Sequence, residues 1–161
     1  MTLMLTSDDF ADGALLHERH SAAAWGHHGD NLSPHLAWSG APAGTRSFAL
    51  TMYDPDLSSD SGWWHWLVID IPADVDTLET GASTSGRLPG AARQMRNDVN
   101  EWRYLGPAPD EGMTNTYMWR LHALDVETLD LEHDASAAMV SGEINAHSLA
   151  RAQLVGQYRK Q

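Results

Sequence analysis

Two segments concentrate apolar and aromatic residues so densely that they read as strands. Ser47 to Tyr53 (SFALTMY) is short and apolar and stops at Asp54-Pro55. Trp63 to Ile71 (WWHWLVIDI) is rich in aromatic and β-branched residues and stops at Pro72. A period of two places Trp63, His65, Leu67, Ile69 and Ile71 on one face of the second segment. Trp64, Trp66 and Val68 then lie on the other. Both faces are apolar, so this strand is expected to be covered on both sides. Tyr117 to Leu124 (YMWRLHAL) predicts a third strand, and Leu154 to Tyr158 a closing one.

Helical pattern is confined to two places. Ala135 to Val140 is Ala-rich, with Asp134 as its expected N-cap and Gly142 after it. A second short helix is expected from Asn145 or Ala146 through Ala152. Loops containing Pro and Gly separate these elements at 30–44, 54–62, 81–90 and 106–112. Strands dominate and two short helices fall in the C-terminal half, so the fold class is mainly β: an antiparallel sheet or sandwich with appended helices. With no repeat and no linker, the 161 residues read as one domain, 1–161.

Composition removes several function classes. The formal net charge of −12 repels nucleic acid and anionic lipid surfaces, so neither is an expected partner. No apolar run approaches the ~18–20 residues of a membrane helix. The opening MTLMLTSDDFADG has neither a basic region nor a long apolar one and does not read as a signal peptide. The absence of cysteine excludes disulfides and thiolate chemistry and makes a cytoplasmic location the expectation.

Candidate chemistry begins at Asp54-Pro55-Asp56. Pro55 fixes its own φ and extends Asp54, holding two carboxylates at i and i+2 on a strand end. They can orient a histidine, receive backbone amides, bind a metal, or simply cap an acidic turn. His65 ends a core-facing row among Trp63, Trp64 and Trp66; it is a hydrogen-bonded core residue or the polar floor of an apolar pocket. His17, His20, His27, His28 and His35 lack a recognised zinc spacing, and solvated loop histidines are the plainer reading. GASTS (81–85) lacks the last glycine of GxSxG, so a serine hydrolase is not expected, and no cofactor motif appears. Asn31-Leu32-Ser33 is a formal glycosylation sequon but is followed by Pro34, and is taken as chance.

Taken together, these segments resemble the phosphatidylethanolamine-binding protein family, specifically its bacterial Raf-kinase-inhibitor-like, YbhB/YbcL-type, branch. The blocks that carry the resemblance are GDNLSPHLAW (29–38), YDPD (53–56), GWWHWLVIDIP (62–72), RND (96–98), YLGPAP (104–109), HALD (122–125) and AHSLARAQLVGQY (146–158). The resemblance implies a large antiparallel β core, a smaller second sheet and short helices. It implies an anion pocket for phosphate or phosphorylated head groups, built from Asp54, Pro55, Asp56, Trp64, His65, Gly106, Pro107 and Tyr117, with Asn115 at a position where relatives carry histidine. It further implies a binding or regulatory role, with kinases or proteases as protein partners, and a homodimer. Two other readings stay open: an interaction or structural protein with a vestigial pocket, and a weak hydrolase-like enzyme using His65 with Asp54 and Asp56.

The sequence departs from the family pattern in three places. DPDxP ends here in Ser58, and Val99-Asn100-Glu101 interrupts the usual RNDFG. GxHRY is replaced, leaving Asn115-Thr116-Tyr117. The pocket thereby loses a histidine and an arginine, so it is expected to prefer a neutral or weakly anionic ligand to a dianion. Asp54 or Asp56 near His65 would keep the ring protonated, and burial would oppose that.

Overall fold

In a computed structural model that describes residues 2–56 and 62–160, the elements run in this order. Strands β1 (Met4–Thr6) and β2 (Ala14–Leu15) precede a 3₁₀ turn at Glu18–His20. Then come β3 (Leu36–Ser39), β4 (Ser47–Asp54), β5 (Trp63–Pro72) and β6 (Thr77–Leu78). A short helix α1 (Ala82–Ser85) and β7 (Arg93–Gln94) lead to β8 (Thr114–Leu124), helix α2 (Ala137–His147) and β9 (Ser148–Arg159). The large sheet has the order β2-β9-β8-β4-β5-β7, and the small one β1-β3-β6. Neighbours are antiparallel except β2 beside β9. Among the described residues, no helix is long and apolar enough to cross a membrane.

Three layers follow from the two-faced strands. One core fills the space between the sheets, with Leu5, Leu36, Trp38 and Leu78 against Leu50, Met52, Trp119 and Leu121. A second core lies under α2, where Ala137, Val140 and Ile144 cover Ala49, Leu67, Ile69 and Leu124. β5 is thus covered on both sides, as its sequence requires.

The simple alternation expected for β5 is broken twice. Met52 pairs with Trp66 and Tyr53 with Trp64, which leaves His65 as an extra residue in a bulge. His65 and Trp66 consequently both approach the inter-sheet side, His65 against Tyr117 and Trp66 within that core. Farther along, Phe48 pairs with Ile71 and Leu50 with Val68, and Asp70 takes a left-handed φ of 58°. That second bulge turns Ile71 into the inter-sheet core, away from Leu67 and Ile69. Asp70 tolerates the conformation because its carboxylate accepts from Leu129 N at 2.8 Å and Arg93 Nε at 3.1 Å.

The C-terminal helices need correction. α2 starts two residues later than its expected Ala135, capped by Ser136, whose hydroxyl accepts from Met139 N, and not by Asp134. It runs through Gly142 to His147. No helix spans 148–152; that stretch opens β9. The alternation was present: Ala152, Leu154, Gly156 and Tyr158 are buried while Arg151, Gln153 and Arg159 are exposed. Helix-favouring Leu149, Ala150 and Arg151 masked it, and pairing with β8 from Thr114↔Arg159 to Leu124↔Ser148 overrode their propensity. The second short helix is α1, inside the expected 81–90 loop.

Candidate functional site

The end of β4 and the start of β8 are tied together by the two aspartates. Asp54 is 1% exposed, and its Oδ1 accepts from Asp56 N at 2.7 Å, closing the turn that Pro55 stiffens. Its Oδ2 accepts from Asn115 Nδ2 at 3.0 Å. Asp56 is exposed, and its Oδ2 accepts from Thr116 N at 2.6 Å. The aspartates therefore receive amides, one of the roles open from sequence. Asn115 serves Asp54 as a neutral donor. Thr116 alternates away from the buried row of Asn115 and Tyr117. Ser58 lies outside the described residues.

His65 is 2% exposed and is gripped by the loop at 104–107. Its Nδ1 lies 2.7 Å from Leu105 O, and Leu105 N donates to His65 O at 3.0 Å. A carbonyl can only accept, so Nδ1 carries the hydrogen. The ring meets Tyr117 edge-on, with centroids 5.3 Å apart and planes at 90°. Burial pushes the His65 pKa down to about 4, against the weaker opposing pull of the Leu105 and Gly106 backbone. Burial therefore outweighs any help from the aspartates. Burial also raises the Tyr117 pKa, with the charge of Asp54 adding to it.

Two neighbouring polar atoms are left over. Among the described residues, His65 Nε2 and Tyr117 Oη are buried without a hydrogen-bond partner, although Asn115 and the Ala108 backbone lie beside the phenol. Trp119 Nε1 is the third such atom, with its ring against Phe10.

The loop that reaches His65 is held from outside. Asn31, at a left-handed φ of 52°, donates from Nδ2 to Tyr104 O at 2.9 Å and accepts from Gly106 N at 2.7 Å. Ala22 N donates to Pro107 O at 2.9 Å, and Tyr104 Oη donates to His20 O at 2.8 Å. Residue 106 must be glycine, because a Cβ there would collide with the His20 carbonyl and the Ser21 backbone. Asn31, taken from sequence as part of a chance sequon, is the brace of this loop. Its membership of the 29–38 block was the available signal.

The structure brings together Asp54, Asp56, Asn115, Tyr117, His65 and the Leu105-Gly106 backbone. Trp64 sits on the other side of the bulge, packing edge-on against Tyr53 at 4.6 Å. Its backbone N–H donates to Asp98 Oδ2 at 2.8 Å. The Pro107 carbonyl accepts from Ala22 N. The divergent Val99-Asn100-Glu101 stretch wraps around Asn97, whose Oδ1 accepts from Val99 N and Glu101 N, both at 3.0 Å. It thus leaves the Asp98–Trp64 contact in place. Among the described residues, no three His, Cys, Asp or Glu side chains are placed to hold a metal ion.

Known proteins resemble this chain in sequence and in fold. A family model described as phosphatidylethanolamine-binding protein matches residues 6–159. The UPF0098 protein YbhB of Escherichia coli K12 is 44% identical over 157 residues, spanning 97% of this chain and 99% of its own. The crystal structure of E. coli YbcL, described as a member of the mammalian PEBP family, superposes with a TM-score of 0.95 at 36% identity over the full length of both chains. A Chlamydia trachomatis homologue superposes with a TM-score of 0.83 at 28% identity, spanning 99% of each chain.

Proposed function

The chain belongs to the phosphatidylethanolamine-binding protein family, and from that premise we propose that it is a small-ligand-binding protein, not an enzyme, which takes an anion or phosphorylated head group against His65 and Tyr117. The observation that carries this reading is the pair of buried atoms, His65 Nε2 and Tyr117 Oη, without protein partners on adjoining rings. An unpaired buried polar group costs about 1–3 kcal/mol, and a ligand whose oxygens pair with both atoms recovers that loss.

The aspartates support binding over hydrolysis. An acid–base role needs carboxyl groups directed at the reacting atoms. Here Asp54 and Asp56 accept hydrogen bonds from the start of β8 and thereby position Tyr117. A regulatory role, with the rim of the site presented to a kinase or protease, and a homodimeric state both rest on the family alone.

Calorimetric titration of inorganic phosphate and phosphoethanolamine tests the reading. Wild type is expected to bind at least one of them, and His65→Ala to bind it about tenfold or more weakly while remaining folded. Equal binding by a folded His65→Ala variant would move the site elsewhere. Turnover of a phosphoester that disappears in this variant would restore the enzyme reading.

A further inference from the structure

Resting on the His65–Tyr117 site just proposed, we infer that His65 meets its ligand as a hydrogen-bond acceptor. The site then selects a singly protonated phosphoryl or phosphonyl group, whose P–OH donates to Nε2, over an equally charged oxyanion without that proton.

The geometry fixes the tautomer. Nδ1 spends its hydrogen on Leu105 O at 2.7 Å, so a neutral ring offers only a lone pair at Nε2. Burial keeps the ring neutral, against the weaker opposite pull of its backbone neighbours. From the 104–106 loop it meets the main chain of Leu105 and Gly106. From β8 it meets Tyr117, whose phenol burial keeps un-ionised. Asn115, on the same strand, turns its amide to Asp54. The two aspartates at the end of β4 accept from Asn115 Nδ2, Asp56 N and Thr116 N. The nearest arginine along β8, Arg120, donates to Gln153. A fully ionised oxyanion would therefore place its lone pairs against that of Nε2. A P–OH group removes the conflict, and a second oxygen of the same group can accept from Tyr117 Oη. The same chemistry is available in free phosphate and in a phosphomonoester head group.

The test compares methylphosphonate with methanesulfonate on the wild-type protein at about pH 5.5. The two are tetrahedral and singly charged there, and they differ in the acidic proton. Methylphosphonate is expected to bind at least about tenfold more tightly, the size of one hydrogen bond to a charged group. Nitrogen-15 spectra of His65 are expected to show hydrogen on Nδ1 and a bare Nε2 in the free protein. Equal or tighter binding of methanesulfonate, or a hydrogen on Nε2, would overturn the inference while leaving an anion site standing. If neither compound perturbs His65, the site itself fails and the inference falls with it. His65→Gln, whose amide can turn to donate or accept, is expected to reduce the preference to under about threefold. A preference retained at full strength in that variant would also count against the assignment.

Discussion

Replacing Asn115 with alanine removes the side-chain amide that donates to Oδ2 of the buried Asp54 carboxylate. Asn115 is 5% exposed, Asp54 is 1% exposed, and their bond is 3.0 Å long. A hydrogen bond to a charged group contributes about 1.5–3 kcal/mol, and the void left by the amide adds to the loss. Asn115→Ala should therefore destabilise by about 2–4 kcal/mol. In a chain of this size that lowers Tm by roughly 5–15 °C. Asn115→Asp fills the same volume but sets two carboxylates about 3 Å apart, so at neutral pH it should be worse than alanine. Urea unfolding of the three proteins gives the order wild type, Asn115→Ala, Asn115→Asp. An alanine variant within about 0.5 kcal/mol of wild type would refute the reasoning. So would an aspartate variant no worse than alanine. Either result would mean that Asn115 does not support Asp54.

Other consequences follow from named contacts. The pKa values of His65 and His122 are pushed down to about 4, for His65 by burial and for His122 by burial with Arg151 and Arg120 adding to it. The unfolded chain, with histidine near 6.5, binds more protons below that pH, so stability should be full above about pH 6.5 and fall towards pH 4. Each ring accounts for up to about 3 kcal/mol. Urea midpoints at several pH values check this, and an undiminished slope in the double variant His65→Gln with His122→Gln would contradict it. Gly106→Ala should lose several kcal/mol or rebuild the 104–107 loop, because its Cβ meets the His20 carbonyl; near-normal stability with unchanged ligand binding would show that the loop gives way freely. Asp70→Ala should cost about 2–4 kcal/mol by orphaning Leu129 N at a left-handed residue, and Asp70→Gly should cost less because glycine accepts that backbone. Equal losses would mean that the φ of 58° carries no strain. Light scattering is expected to give about twice 17.7 kDa, and a strict monomer at all concentrations would dispose of the dimer.

The long strands were legible because β4, β5 and β8 carry dense apolar and aromatic runs. Their bulges were not. A period-two reading assumes an uninterrupted pleat, and nothing in WWHWLVIDI marks His65 and Asp70 as extra residues. Yet the first bulge is what brings His65 onto the side of Tyr117, and it separates Trp64 from the ring it neighbours in sequence. The first half of β9 was read as helix, because Leu149, Ala150 and Arg151 favour helices and only pairing with β8 decides otherwise. At the site, the family blocks predicted which segments gather. The competition over the His65 proton was legible but its outcome was not, since the depth of burial and the Leu105 carbonyl are tertiary facts. Asn31 likewise looked incidental until its amide was seen spanning Tyr104 and Gly106.

The ligand proposed for His65 Nε2 and Tyr117 Oη is a small phosphoryl-type group. A crystal soaked with phosphoethanolamine at mildly acidic pH tests it most directly. Tetrahedral density is expected with one oxygen about 2.6–3.0 Å from His65 Nε2 and another within hydrogen-bonding distance of Tyr117 Oη. Density bound elsewhere, with these two atoms still unpaired or paired only with water, would contradict it.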